Sequence, residues 1–335
     1  MSDHHHALPT KAGNRLWLSR EFGLLLLIGL TTLVVCWVDP RFAAWENWRD
    51  IAVRAAPTVI VSCGVMLVVI TGEIDISVGS LTAICAATMG MMLSVERLAW
   101  PLGVGAALTL LLGTGVGTLT GCLVTWGRVP SIIVTLGLLT GLRGVTTWVM
   151  GGENISHLPL ILTDAAKRGW GGIPLSIYVA ITVIVAQLLL LHRTPWGRRL
   201  YAVGSSAHAA EMAGLPIDRL KRFAFAYTGF LTAVATLVDV PRLPKIEAGI
   251  GAEFELLVVT CVVVGGVAVA GGRGSVCGVL LAVVLMTMVR PVLTFLDIGE
   301  AGEKWTKAIQ GSFILMTVVA DSLSRANRRA EGDSA

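Results

Sequence analysis

Nothing constrains this chain more than its apolar runs that lack any Asp, Glu, Lys or Arg. Eight are uninterrupted: Phe22–Val38, Ala55–Gly72, Ile76–Val95, Leu98–Gly127, Gly169–His192, Phe223–Val238, Leu256–Gly272 and Gly274–Val289. A ninth, Val129–Gly152, is broken only by Arg143, and a tenth, Ile309–Ala320, extends back past Lys307 to Trp305. A helix needs ~20 apolar residues to cross the ~30 Å hydrocarbon core of a bilayer. Only helices and closed barrels satisfy their backbone hydrogen bonds in lipid. A barrel strand would alternate polar and apolar residues over ~10 positions, whereas these runs are continuous. The chain therefore reads as an all-α polytopic membrane protein with about ten transmembrane helices. Its 14% of charged residues, against about 25% in a soluble domain, could not cover a surface in water.

The first run follows Lys11, Arg15 and Arg20 but has no small-residue cleavage site behind it, so it reads as a retained helix rather than a leader. Lys and Arg collect on the cytoplasmic side of membrane proteins. The tail 1–20 (Lys11, Arg15, Arg20), the loop 192–222 and the tail 321–335 (Arg325, Arg328, Arg329) carry clustered Lys and Arg, and ten spans put all three on that side. Between the tails lies one transmembrane domain, 21–320. The acidic stretch Asp239–Glu255 then falls on the opposite side. The net charge of +4 reflects these loops and does not point to nucleic acid. His4–His6 read as a polar tail rather than a metal site, and the six cysteines read as small buried hydrophobes with no Cys-x-x-Cys pair.

Chemistry resides in the interruptions. Thr71-Gly-Glu-Ile-Asp-Ile-Ser-Val-Gly-Ser80 places Glu73 and Asp75 between two barely spanning runs, with glycines that let the backbone break. Ionisable groups at membrane depth are costly and usually functional. Ser77 is a plausible N-cap for the next helix, with Asp75 near its positive end. The segment reads either as a capped loop or as a broken helix lining a translocation path through Glu73, Asp75, Ser77 and Arg143. Arg143 needs a partner, and Glu73 or Asp75 could supply it. In the basic loop, Ala207–Ala213 favours a short helix stopped by Gly214 and Pro216. That loop is either a plain positive-inside connection or a docking element. The glycines around 265–278 suit close helix packing and a tight turn better than a dinucleotide site. A weak likeness between Thr71–Ser80 and Ala248–Glu255, each leading into a glycine-rich span, leaves open an internal two-fold repeat. No Gly-x-x-x-x-Gly-Lys-[Ser/Thr], His-Glu-x-x-His or Ser/His/Asp arrangement occurs, so no catalytic or metal residue is assigned.

At these same residues the chain resembles the permease subunits of bacterial sugar ABC importers, the ribose/xylose/rhamnose/autoinducer-2 group. Gly72-Glu-Ile-Asp-Ile-Ser-Val-Gly-Ser80 is similar to that family's Gly-Gly-Ile-Asp-Leu-Ser-Val-Gly-Ser. Val129-Pro-Ser-Ile-Ile-Val-Thr-Leu-Gly137 with Arg143-Gly144 resembles a second family stretch. Trp196-Gly-Arg-Arg-Leu-Tyr-Ala-Val-Gly204 with Ala209-Ala210 and Gly214 resembles its coupling loop, and Gly271-Gly-Arg-Gly-Ser275 with Gly278 resembles a turn. The likeness runs in order over about residues 20–320. Glu73 departs from it by replacing a glycine, Ser206 stands where the family often has Asn, and Val240-Pro-Arg-Leu-Pro244 is unusual.

The resemblance implies one half of a transmembrane dimer, made with a second copy or a paralogue in a bacterial inner membrane with both termini cytoplasmic. A periplasmic binding protein would deliver a sugar or sugar-like solute. ATP and magnesium would sit on a partner ATPase and not on this chain, and Tyr201, Gly204, Ala209, Ala210, Glu211 and Gly214 would form the coupling loop that meets it. The competing readings are an ion-coupled secondary transporter using Glu73, Asp75 and Arg143 as a relay, a branched-chain amino-acid permease, and an integral-membrane enzyme. Asp75→Ala is expected to impair transport or assembly. Uptake measured beside membrane expression checks this, and normal values of both would reduce Thr71–Ser80 to a plain loop.

Overall fold

The computed structural model describes residues 12–297, 305–313, 315–316 and 319. His4–His6, the tail 321–335 and part of the tenth run lie outside the described residues. The helices are α1 (Ala12–Val38), α2 (Trp45–Ile70), α3 (Val78–Leu93), α4 (Leu102–Thr125), α5 (Ser131–Met150), α6 (Leu160–Lys167), α7 (Leu175–Arg193), α8 (Pro195–Ser205), α9 (Ala207–Met212), α10 (Ile217–Asp239), α11 (Phe254–Val264) and α12 (Val276–Phe295). A further helical stretch begins at Trp305. Among the described residues, seven helices are long and apolar enough to cross a membrane, while α3 and α11 are apolar but shorter. The protein is thus an all-α polytopic membrane protein.

Burial is arranged for lipid rather than water. A helix that is apolar on every side must be enclosed, and α2 is: 89% of its apolar window is buried, against α7, α10, α11 and α12. The first helix lies at the other extreme, with 11% of its window buried. Leu33, Trp37, Leu111, Ile133, Trp148 and Leu189 are exposed on the outer helices, a surface that a soluble monomer would not tolerate. Trp37, Trp45, Trp126, Trp148 and Trp170 are exposed close to helix ends, where the headgroup layer favours amphipathic rings.

Without a hydrophobic force between helices in lipid, close approach must come from small residues. Gly113, Gly117 and Gly121 recur once per turn on α4 and lie against Gly229, Phe225 and Arg222 of α10. A side chain at Gly229 would run into the Gly113 carbonyl. Thr228, Thr232 and Thr236 of α10 each donate to the carbonyl four residues back, so their buried hydroxyls are satisfied. Gln187 Nε2 donates to the Cys63 carbonyl at 3.0 Å and ties α7 to α2.

The run Leu256–Gly272 does not form the single span its composition suggests. The α11 helix has 11 residues, ~16 Å at 1.5 Å per residue, about half of a bilayer core. The pair Gly265-Gly266 stops it, with Gly266 at φ +93°, a conformation that costs glycine little. The stretch Asp239–Glu255 does not stay outside either. Ile246 pairs with Ile155 and touches Gly90 near the end of α3, whereas Gly251 meets Gly79 at its start. Those two contacts are ~16 Å apart along the helix, so the segment descends into the bundle before α11 begins. The two polar lead-ins, Thr71–Ser80 and Ala248–Glu255, therefore touch one another.

Gly229→Val is expected to overpack the α4–α10 contact by about 1–3 kcal/mol. A lower melting temperature of the purified chain in detergent checks this. Gly115→Ala, facing open space, should melt unchanged or slightly higher.

Candidate functional site

The break after α2 is a built structure. Glu73 N donates back to the Val68 carbonyl at 3.2 Å, and Gly72 turns the chain at φ +84°, which satisfies the last carbonyls of α2. The chain then runs without helix to Ser77. Ile74 N donates to Ser131 Oγ of α5 at 3.2 Å. The buried Asp75 carboxylate accepts from Ser77 N at 2.9 Å and from Ser77 Oγ at 2.7 Å. The expected roles are thus exchanged. The Ser77 side chain caps no helical N–H because its hydroxyl is turned to Asp75, and Asp75 holds the backbone that opens α3.

The other two sequence candidates also find partners. Glu73 pairs with Lys221 of α10 at 2.5 Å, both side chains being mostly enclosed. Arg143 does not pair with Glu73 or Asp75. Its guanidinium donates to the carbonyls of Ile250 at 2.6 Å and Ala248 at 3.4 Å, pinning the descending segment. Irregular backbone at membrane depth persists only where protein groups serve it or it lines a cavity, and Arg143 serves it here. Glu73, Asp75 and Ser77 thus lie together in the break, and Arg143 belongs to the other lead-in.

The basic loop folds into α8 and α9. Thr194 Oγ1 accepts from Gly197 N at 3.3 Å and Ser206 Oγ accepts from Ala209 N at 3.2 Å, so each short helix carries its own N-cap. Gly214, at φ +72°, ends the second. Ala209, Glu211 and Gly214 are exposed and Ala210 is buried beneath them, with Met212 standing 78% exposed. The α9 turn is an exposed knob. The preceding helix is locked to the bundle, because a side chain at Gly204 would strike the Ile70 carbonyl and the Gly272 N–H. Gly272 N donates to that same carbonyl at 2.9 Å. Tyr201 Oη donates to the Gly274 carbonyl at 2.9 Å, and burial pushes the pKa of its phenol up to about 12. The end of α2, the end of α8 and the turn 268–274 therefore meet as one backbone junction. Arg222 rests over Trp126 at 4.5 Å from the ring centre and fixes the start of α10 on the same side.

This geometry suits mechanical transmission rather than bond chemistry. The helices on either side of α9 both touch the α2–α3 break, α8 through Gly204 against the Ile70 carbonyl and α10 through Lys221 against Glu73. No cluster of metal-ligating side chains occurs among the described residues. Three contributors escaped the sequence reading. Lys221 reads in the sequence only as a loop cation, because its partner Glu73 lies 148 positions away and no local pattern links them. Gly79 is expected from the sequence only to let the backbone break, whereas it lies in the first turn of α3 and meets Gly251 where the two lead-ins touch. Glu255 was counted with the outside loop, yet it sits buried in α11.

Known proteins supply the remaining comparison. A family model described as "Branched-chain amino acid transport system / permease component" matches residues 47–319. The ribose import permease protein of Haemophilus influenzae is 32% identical over 303 residues, 89% of this chain and 91% of that protein. The autoinducer 2 import system permease protein of Yersinia enterocolitica is 31% identical over 307 residues, 92% of this chain and 84% of that one. The ribose import permease protein of Escherichia coli is 30% identical over 312 residues, covering 91% and 94%. No solved structure matches. With the family model running from α2 through the stretch after Trp305, and import permeases aligned over nine-tenths of its length, the chain belongs to the family of branched-chain amino acid transport system permease components and is a membrane transport subunit.

Proposed function

We propose that this chain is the permease subunit of an ATP-driven importer for a sugar or sugar-like solute. The observation that carries this is the exposed α9 knob joined by backbone contacts to the break between α2 and α3. A partner ATPase holds ATP and magnesium and moves α9 during its cycle. The Gly204–Ile70–Gly272 junction passes that displacement to the break and to the turn before α12, and the Glu73–Lys221 pair keeps the start of α10 in step. A second permease copy or a paralogue completes the path, and a periplasmic binding protein delivers the solute. The end bearing α8 and α9 faces the cytoplasm of a bacterial inner membrane, as do both termini. The ribose and autoinducer 2 relatives favour a polyhydroxylated solute over an amino acid.

An ion-coupled relay through Glu73, Asp75 and Arg143 is the weaker reading. Glu73 is neutralised by Lys221, Asp75 is engaged by Ser77, and Arg143 is engaged by carbonyls. Co-purification with the products of neighbouring genes tests the choice. Association of an ATPase and loss of uptake on ATP depletion are expected. Uptake that survives ATP depletion but not collapse of the proton gradient would overturn the proposal.

Glu211→Ala or Gly214→Pro is expected to lower uptake tenfold or more while ATP hydrolysis continues and the permease still purifies folded. Proline holds φ near −65° and cannot adopt the +72° of Gly214. Normal uptake in both variants would remove the coupling role from α9.

A further inference from the structure

Glu255 is the second residue of α11 and is 8% exposed. Its Oε2 has no hydrogen-bond partner among the described residues. That oxygen occupies the space left by the missing side chain of Gly79, in the first turn of α3. The Gly251 carbonyl lies 2.6 Å from the same point. The carboxylate therefore sits between the N-termini of a 16-residue and an 11-residue helix, whose positive ends both favour a negative group. Two acceptors converge there, and the carboxylate oxygen has no donor. A buried acceptor without a donor is destabilising, and an apolar side chain of similar volume would fill the place without that cost.

Residues on either side of Glu255, though not Glu255 itself, wall a cleft of about 350 Å³, among them Asp239, Gly251, Glu253, Phe254 and Leu257. That volume is within the ~300–1,000 Å³ of small-molecule sites. Gly251 belongs both to the cleft wall and to the contact with Gly79. In secondary transporters, solute sites lie near the membrane midplane where discontinuous helices end, and two helix starts meet here in the same manner.

We infer that Glu255 is a solute-recognising residue, its free carboxylate oxygen accepting a hydrogen bond from a hydroxyl of a polyhydroxylated solute that passes between the N-termini of α3 and α11. This assignment rests on the sugar-importer reading above. It also explains why a glycine at 79 faces a glutamate: the gap holds a polar oxygen where the starts of α3 and α11 meet, and any side chain at 79 would displace it.

The test uses the whole importer (permease, ATPase and binding protein) in proteoliposomes. Uptake is measured with tritiated D-ribose, D-xylose and L-rhamnose, and with monodeoxy derivatives of whichever enters fastest. Glu255→Met should purify with a melting temperature equal to or above that of the parent, yet lower uptake at least tenfold. The parent should discriminate about tenfold against one monodeoxy derivative, and the variant should take up that derivative and its parent sugar equally. The binding protein is the same in both arms, so a change in preference reports on the permease. Glu255→Gln, which keeps shape and polarity, provides a second variant and should lose the same preference in part. Unchanged rate and preference in both variants would overturn the assignment, as would misfolding of both, which would make the carboxylate structural. No ATP-dependent uptake of any probe by the parent would overturn the importer reading, and this assignment with it.

Discussion

Lipid offers no hydrogen bonds, and every departure from helix in this protein is organised by that fact. Wherever the backbone leaves a helix inside the bundle, a specific group meets it. After α2, the chain folds its own amide back to Val68, and Ser131 and Asp75 take up the next donors. Before α11, Arg143 answers the carbonyls of residues 248 and 250. After α11, the amide of Gly272 answers the last carbonyl of α2. A polar side chain in such a place is costly to bury unless it is bonded, which is why so few are present and why most of them are engaged.

The same economy of partners links distant segments. Because the end of α2 and the turn before α12 satisfy one another, neither can shift alone, and Gly204 brings the basic loop against both. Glu73 finds its counter-charge within this chain, on Lys221 of α10.

The sequence made the helical class legible, because continuous apolar runs allow little else in lipid. It also placed α9 and its stop correctly, since Ser206, the alanines and Gly214 act locally. It failed wherever an outcome depended on packing between remote segments. The Leu256–Gly272 run has the composition of a span, and only the Gly265-Gly266 turn and the contact with α12 cut it short. Arg143 has carboxylates eligible as partners in the sequence, but the carbonyls it serves carry no side-chain signature. Ser77 looked like a cap by residue type, and the neighbouring Asp75 reversed its role. Glu255 looked like one more loop acid because nothing local announces that residues 247–253 turn inward.

The enclosure of α2 has a consequence for how the protein is made. Its neighbours α7, α10, α11 and α12 all come later in the chain, the last beginning at Val276. At 5–20 residues per second, the ribosome reaches α12 roughly 10–40 s after finishing α2. Until then the side of the helix that α12 will cover faces acyl chains. Its apolarity from Ala55 to Ile70, relieved only by the small hydroxyls of Thr58 and Ser62, makes that wait tolerable. A polar group introduced into α2 to improve its final packing would have to survive this interval unpartnered, so the sequence of the innermost helix answers to its time in lipid as well as to its place in the finished bundle.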